Sequence, residues 1–351
     1  MPRSRASTRR RCRWSRVPDV GDPLARAAAA APDAPVLHAP QHSLTYAELD
    51  HEVGRRAERL RTRGVSPDTR VAFSMPTGAE AVKQVLSILR TGGIAVPLDA
   101  RLPAEERARR LAALPPTRTL DTLPDAADAA LGARPCAHEA PATITFTSGS
   151  SGPPKAAVLS LANHLANARA SNARLQFHRG DAWLLSVPLY HVSGLAVLFR
   201  ALAAHAAIIV PAQRSALSAA LVHPRLTHVS LVPTQLYRLL GDAGATAALA
   251  RLRVVLLGGA PAGTALLDRA ADAGVPVCTT YGMTEMATQI ACTAPGMPRP
   301  VWDSVGEALL PDTLRVGGGG AIEVRGDTLF LGYLQGDATL LRPLTPDGWF
   351  A

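Results

Sequence analysis

From Val36 onward, short apolar runs alternate with segments of helical period, and few architectures accommodate that pattern. A strand that is repeatedly followed by a helix and then another strand predicts an α/β fold with mostly parallel strands. Thr45 and Glu48 stand at capping-box spacing and predict a helix through about residue 63, with Leu49, Val53, Ala57 and Leu60 on one face. Residues 71–74 read as a buried strand, 79–90 as a helix closed by Gly92 and Gly93, 94–98 as a strand, and 104–113 as a charged helix. Residues 114–141 are rich in Pro, Ala and Asp without steady period, which predicts a surface connection with room for one weak strand. The alternation then resumes. Strands are expected at 183–187, 207–210, 228–232, 254–257 and 275–279, and helices at 161–174, 195–204, 234–240 and 263–273. From about Thr313 short strands flank Gly317, Gly318, Gly319 and Gly320, predicting a small β-rich closing element. No repeat at solenoid or propeller period is present.

The formal charge of +9 invites a nucleic-acid reading, but its distribution argues against one. Arg3, Arg5, Arg9, Arg10, Arg11, Arg13 and Arg16 all fall in the first 18 residues, where there is no acid, and the rest of the chain carries only +2. The basicity therefore belongs to a tail over residues 1–19, expected to be disordered, and it lacks the apolar region of a secretory signal. Cys12, Cys136, Cys278 and Cys292 are scattered, which argues against a zinc site or a disulfide framework and for a reducing, cytoplasmic setting. The longest apolar stretch, 194–210, is interrupted by Arg200 and His205 and is too short to span a bilayer. Aromatic residues make up only 4% of the chain, so the core must be mostly Ala, Leu and Val.

The residues able to do chemistry gather in loops next to these strands. Thr147, Ser148, Gly149, Ser150, Ser151, Gly152, Pro153, Pro154 and Lys155 form a small-residue loop directly after the apolar Ile144, Thr145 and Phe146. Such a loop exposes backbone N–H groups and hydroxyls that can wrap a polyphosphate, and Lys155 adds a cation. The spacing is not that of a P-loop, because two prolines precede the lysine and Ala156 follows it. Gly258, Gly259, Ala260 and Pro261 follow one expected strand, and Tyr281, Gly282, Met283, Thr284 and Glu285 another. In parallel α/β sheets ligands bind at the carboxyl ends of strands, so these loops are placed to share one pocket. Gly258 and Gly259 would let a flat ring approach the backbone, Tyr281 offers a stacking face, Thr284 a hydroxyl for phosphate, and Glu285 a hard oxygen ligand for Mg²⁺. His191 lies in a third such loop, 188–194, and is the one histidine of ten in that setting. Taken singly, each loop is also compatible with a turn or a packing role.

Together the segments resemble the acyl-adenylate-forming superfamily, which includes acyl-CoA synthetases, luciferases and adenylation domains of peptide synthetases. The matching stretches are 92–103 (GGIAVPLDARLP), 147–155, 188–194, 258–261, 281–285, 320–333 (GAIEVRGDTLFLGY) and 347–350 (DGWF), in the family's order. Residues 188–200 (PLYHVSGLAVLFR), 228–240 (HVSLVPTQLYRLL) and 280–289 (TYGMTEMATQ) are most similar to the o-succinylbenzoate–CoA ligases of menaquinone biosynthesis. The resemblance implies a large AMP-binding N-terminal domain over 20–351, with subdomains near 20–142 and 143–312 and the β-rich element at 313–351. It implies ATP, Mg²⁺ and coenzyme A as co-substrates and a small carboxylic acid as substrate.

Carried over by position, Thr147, Ser148, Gly149, Ser150, Ser151, Gly152 and Lys155 would line the triphosphate. Gly258, Gly259 and Ala260 would line the adenine with Tyr281 stacked on it, beside Gly282. Thr284 would touch the α-phosphate and Glu285 would hold Mg²⁺. His191 would sit between phosphate and acyl group, and Ser193, Thr234, Met283 and Gln289 would surround the acyl group. Lys155, His191, Thr284 and Glu285 are thus the candidate catalytic residues. Residues 187–199 contain no acid, which disfavours an amino-acid substrate and leaves o-succinylbenzoate or another aromatic or medium-chain acid. Two departures stand out. Ala156 replaces the usual glycine, and the sequence given stops where the family continues into a ribose-binding aspartate and a mobile C-terminal domain. On that basis weak ATP binding with impaired adenylation, or a non-catalytic nucleotide-binding fragment, is expected.

Overall fold

The computed structural model describes residues 21–40, 42–115, 117–120, 130–132, 139–147, 154–212 and 217–351. The arginine tail, Cys12 and Cys136 lie outside them, as do Ser148, Gly149, Ser150, Ser151 and Gly152 of the phosphate loop.

Two sheets organise the described residues. The larger has nine strands, ordered Glu307–Ala308, Thr288–Cys292, Val277–Met283, Val254–Leu257, His228–Leu231, Ala182–Leu184, Ala207–Ile209, Pro35–His38 and Ser43–Thr45. From Val277–Met283 to Pro35–His38 every neighbour is parallel, and antiparallel strands close both edges. The smaller has seven strands, ordered Leu340–Leu341, Gly332–Leu334, Ala156–Ser160, Pro141–Phe146, Ile94–Leu98, Arg70–Ser74 and Thr117–Thr119. It is parallel from Pro141–Phe146 to Thr117–Thr119 and antiparallel on the other side. A ribbon of Leu314–Val316 and Ile322–Val324 completes the β-structure. The expected α/β class therefore holds, as does the weak strand in the 114–141 connection.

The sheets do not follow the division expected from chain order. A boundary between residues 142 and 143 would cut the strand Pro141–Phe146, whose ladder with Ala156–Ser160 runs across it. The hairpin 35–45 joins the larger sheet, while Gly332–Leu334 and Leu340–Leu341, from the expected closing element, extend the smaller one.

Pleating assigns each strand's side chains to two cores. Leu256 faces one apolar cluster while Val255 and Leu257 face another; Val71 and Phe73 likewise oppose Ala72. The central cluster takes strand residues from both sheets together with the helices Tyr46–Thr62, Ala79–Arg90, Leu161–Leu175 and Val192–Ala204. Helices on the outer face of the larger sheet and Ala104–Ala112 on that of the smaller complete a five-layer stack. Tyr46–Thr62 starts at the capping box the sequence predicts, with Glu48 Oε2 accepting from Thr45 N at 2.8 Å. Ala79–Arg90 is buried continuously from Ala81 to Arg90, so its charges must pair internally. Arg90 binds Asp22 at 2.6 Å and Asp50 at 2.5 Å, and Lys83 binds Glu52 at 2.8 Å and Glu80 at 3.0 Å. No helix among the described residues is long and apolar enough to cross a membrane.

Candidate functional site

One cavity of about 720 Å³ opens where the carboxyl ends of the larger sheet's parallel strands meet the smaller sheet. Its walls include Thr147, Lys155, His191, Ser193, Gly258, Gly259, Gly282, Met283, Thr284, Glu285 and Gln289, all singled out from sequence. Stretches more than a hundred residues apart thus converge on one volume.

The smaller sheet delivers the lysine. Phe146 and Ala156 are register partners, and Thr147 N donates to Lys155 O at 2.9 Å, so the ladder is closed up to Thr147 and Lys155 on either side of the small-residue stretch. Ala156, the departure from glycine, sits in regular ladder geometry and is not among the positive-φ residues, so its Cβ is tolerated there. Lys155 is exposed and rests its ammonium over the Tyr333 ring, 5.0 Å from the centroid.

The loop that carries His191 is held by close packing and by side chains. A Cβ at Gly194 would lie 2.1 Å from Pro188 O, so only glycine lets the helix Val192–Ala204 start against that carbonyl. Leu189 N donates to Thr77 Oγ1 at 3.2 Å, and Arg101, paired with Asp99, donates to Tyr190 Oη at 2.7 Å. His191 occupies the N-cap position without a capping bond from its side chain, and its exposed ring faces the cavity.

Thr284 and Glu285 lie on a short 3₁₀ turn between Val277–Met283 and Thr288–Cys292. At Gly282 a Cβ would lie 2.0 Å from Thr288 O, so this hairpin closes only on glycine. Behind Glu285 the backbone is strained: Ala287 has φ 55° and the β-branched Thr288 φ 126°. Asn167 fixes that turn. Its amide donates to Met286 O at 3.0 Å and Gln289 O at 2.8 Å, and its carbonyl accepts from Thr288 Oγ1 at 2.9 Å. The buried Glu285 accepts from Tyr333 Oη at 2.5 Å through Oε1. Burial first, and then that bond to Glu285, push the Tyr333 phenol well above its ordinary value.

Among the cavity residues to which sequence reasoning assigned no role are Tyr333 and Arg200, and Arg200 is the more deeply buried. It is 2% exposed, lines the cavity, stacks over Trp183 at 4.8 Å and donates through Nη2 to Gln289 Oε1 at 2.7 Å. Its Nε has no partner, and among the described residues no carboxylate pairs with it. Burial pushes it down to about 10, only partly opposed by Cys292 nearby. In the sequence Arg200 registered only as an interruption of an apolar stretch. A charge in the middle of a buried helix was the available signal. Gln289 takes a second bond from Ser171 Oγ and donates to Thr280 Oγ1 at 3.0 Å, so it positions the guanidinium.

Three expected residues fall outside the cavity wall. Thr234 is exposed on the first turn of Pro233–Leu239, and Ala260 is exposed in the turn after Gly259. Tyr281 lies within a strand, not in a loop, because Val277–Met283 runs four residues beyond the expected end at 279. There the ring packs on the cluster of Met286, Ile290 and Phe330 while Thr280 and Gly282 line the cavity.

These residues suit a nucleotide with a divalent cation. Among the described residues no group of three or more His, Cys, Asp or Glu could hold a metal by itself. Mg²⁺ takes one or two carboxylates and completes its octahedron with phosphate oxygens and water, which Glu285 opposite the phosphate-loop lysine would permit.

Comparison with known proteins agrees with this geometry. The family model described as AMP-binding enzyme matches residues 24–120 and 112–334. The 2-succinylbenzoate–CoA ligase of Bacillus licheniformis is 29% identical over 351 aligned residues, covering 91% of this chain and 73% of its own length. Among solved structures, Escherichia coli MenE bound to a phenylether-linked analogue of OSB-AMS superposes with a TM-score of 0.82 at 26% identity, covering 93% of this chain and 73% of that one. The o-succinylbenzoate coenzyme A synthetase of Bacillus subtilis in complex with ATP and magnesium ion gives 0.77 at 25% identity, covering 94% and 78%.

Proposed function

The chain belongs to the AMP-binding enzyme family, and from that premise we propose that it activates an aromatic dicarboxylic acid, o-succinylbenzoate, as an acyl-adenylate for transfer to the thiol of coenzyme A. The observation that carries the choice of acid is Arg200, a buried guanidinium without a carboxylate partner in the same cavity as Lys155, Thr284 and Glu285.

The chemical difficulty is electrostatic. A carboxylate must attack a phosphorus already surrounded by negative charge, so cations and oriented dipoles must offset that charge as the bond forms. Lys155 would meet the triphosphate together with Thr147 and the loop residues Ser148, Gly149, Ser150, Ser151 and Gly152. Thr284 would donate to the α-phosphate, and Glu285 would hold Mg²⁺, which supplies Lewis-acid charge when bound. Gly258 and Gly259 leave a wall without side chains for the adenine. His191 and Ser193 would border the reacting carboxylate, with Met283 against the ring. Arg200, held by Gln289, would neutralise the second carboxylate, which otherwise could not be desolvated. We place the reaction in the cytoplasm, a setting supported by the free, buried Cys278 and Cys292.

The test is pyrophosphate release with ATP, Mg²⁺ and a panel of acids, paired with amine labelling. The chain has only two lysines, and Lys83 is buried in ion pairs, so an acylating reagent reports on Lys155. Protection of Lys155 by Mg·ATP, and release of pyrophosphate with o-succinylbenzoate well above benzoate, are expected. Equal labelling with and without nucleotide would remove the nucleotide site.

A further inference from the structure

The segment Phe330 to Tyr333 touches both halves of the phosphate end of the cavity. Leu331 N donates to Val158 O at 2.9 Å, and Tyr333 pairs with Ala157, two residues along the strand from Lys155. On its other side Phe330 N donates to Glu285 O at 2.7 Å and Tyr333 Oη to Glu285 Oε1 at 2.5 Å. One short stretch of backbone is therefore bonded to the strand that presents the lysine and to the turn that presents the carboxylate. Its tyrosine touches both charged side chains, the ammonium through its ring face and the carboxylate through its hydroxyl.

We propose that Tyr333 is a positioning residue for the cation–phosphate site, orienting Glu285 through its hydroxyl and seating Lys155 on its ring before nucleotide arrives. The proposal rests on the ligase reading above. With Oε1 fixed by the phenol, the Glu285 carboxylate is held in one rotamer, and no described residue bonds Oε2 on the cavity side. A carboxylate fixed in this way binds a divalent ion without first losing rotational freedom, which is how outer partners of metal ligands act. The seat holds the Lys155 ammonium on the same residue that bonds the Glu285 carboxylate, without an ion pair that would block the metal. A phenyl ring attracts the cation but leaves both Glu285 oxygens free of it. Phe330 and Phe350 pack edge-on against or near this ring, at 4.8 and 6.4 Å between centroids, and hold its plane.

The hydroxyl and the ring are separable by substitution. In Tyr333→Phe the ring remains and the bond to Glu285 is lost; in Tyr333→Leu both go. ATP binding is followed by isothermal titration, first in EDTA and then at stepped Mg²⁺ concentrations, alongside thermal melts and the rate of Lys155 acetylation. For Tyr333→Phe we expect unchanged affinity for ATP in EDTA, unchanged Lys155 labelling and a cooperative melt. The Mg²⁺ concentration giving half of its effect should rise about 10- to 100-fold. Tyr333→Leu should show the same rise and also label at Lys155 about two- to fivefold faster. A Mg²⁺ midpoint in Tyr333→Phe equal to that of the parent overturns the proposal, and so does loss of its cooperative melt, which would make the phenol merely structural. If the parent chain binds no ATP under any condition, the ligase reading itself falls, a result distinct from either.

Discussion

Replacing Arg200 by methionine separates what the cavity needs for binding from what the fold needs for stability. Methionine keeps an unbranched stem against Trp183 and removes the charge. In the folded chain that charge is costly. Burial pushes the guanidinium down from its ordinary value to about 10, and at about 1.4 kcal/mol per pH unit this corresponds to roughly 3 kcal/mol. The unfolded chain holds the proton more tightly, so the penalty is complete below about pH 10 and fades as pH rises from there towards the ordinary arginine value. Against it stand the contact with Trp183, about 2 kcal/mol when desolvated, and the bond to Gln289, about 1 kcal/mol. These nearly cancel, so Arg200→Met should unfold in urea within about 1 kcal/mol of the parent at pH 7.5. Binding should respond very differently. Truncating one member of a buried charge pair costs about 2–5 kcal/mol, so half-saturation by o-succinylbenzoate in the pyrophosphate assay should rise by about 30-fold to a few thousandfold. Benzoate, with one carboxylate, should change by less than about threefold. If Arg200→Met loses both acids equally, or unfolds several kcal/mol sooner, Arg200 serves the fold and the argument for a diacid fails.

Other parts of the structure make independent predictions. His164 is wholly buried, stacked on Phe199 at 4.3 Å, and burial pushes it down to about 3. On acidification from 6.5 the unfolded chain takes up a proton that the folded chain refuses, so His164 lowers stability by about 1.4 kcal/mol per unit as pH falls from 6.5 towards 3. Urea midpoints of His164→Gln at pH 6.5, 5.5 and 4.5 should fall less steeply by that amount, and parallel lines would contradict the assignment. Arg90→Met strands the Asp22 carboxylate, whose side chain is 7% exposed, and should cost about 3–5 kcal/mol in the same assay. A loss below about 1 kcal/mol would show that Asp22 is neutralised by some other group, since the capping bonds from Leu24 and Ala25 remain.

Much of the fold was readable because its signals are local. A capping box at Thr45 and Glu48 fixes a helix start whatever the rest of the chain does, and Ala79–Arg90 and Ile94–Leu98 begin and end where their sequence pattern says. What the pattern could not give was pairing. Nothing in Pro35–His38 says that it lies beside Ala207–Ile209, some 170 residues on, and nothing in Gly332–Leu334 names Ala156–Ser160 as its neighbour. The helix Ala243–Ala250 also escaped notice, because a run of alanines has no polar face to create a period.

The same division runs through the site. Glycines and short polar residues at strand ends are conspicuous because a strand rarely tolerates them, and most of those loops converge. Tyr281 was expected in a loop, but the hairpin with Thr288–Cys292 carries the strand on to Met283, and the ring packs on the neighbouring apolar cluster. Arg200 and Tyr333 went unassigned for a different reason. Each lies in a regular element, the one in an apolar helix and the other in a short strand, where a sequence pattern registers only burial. Their chemistry is set by what stands opposite: Gln289 and an open cavity for Arg200, Glu285 and Lys155 for Tyr333. A buried charge that the protein leaves without a countercharge is open to pairing by something it binds, and that is what the comparison of diacid and monoacid in Arg200→Met tests.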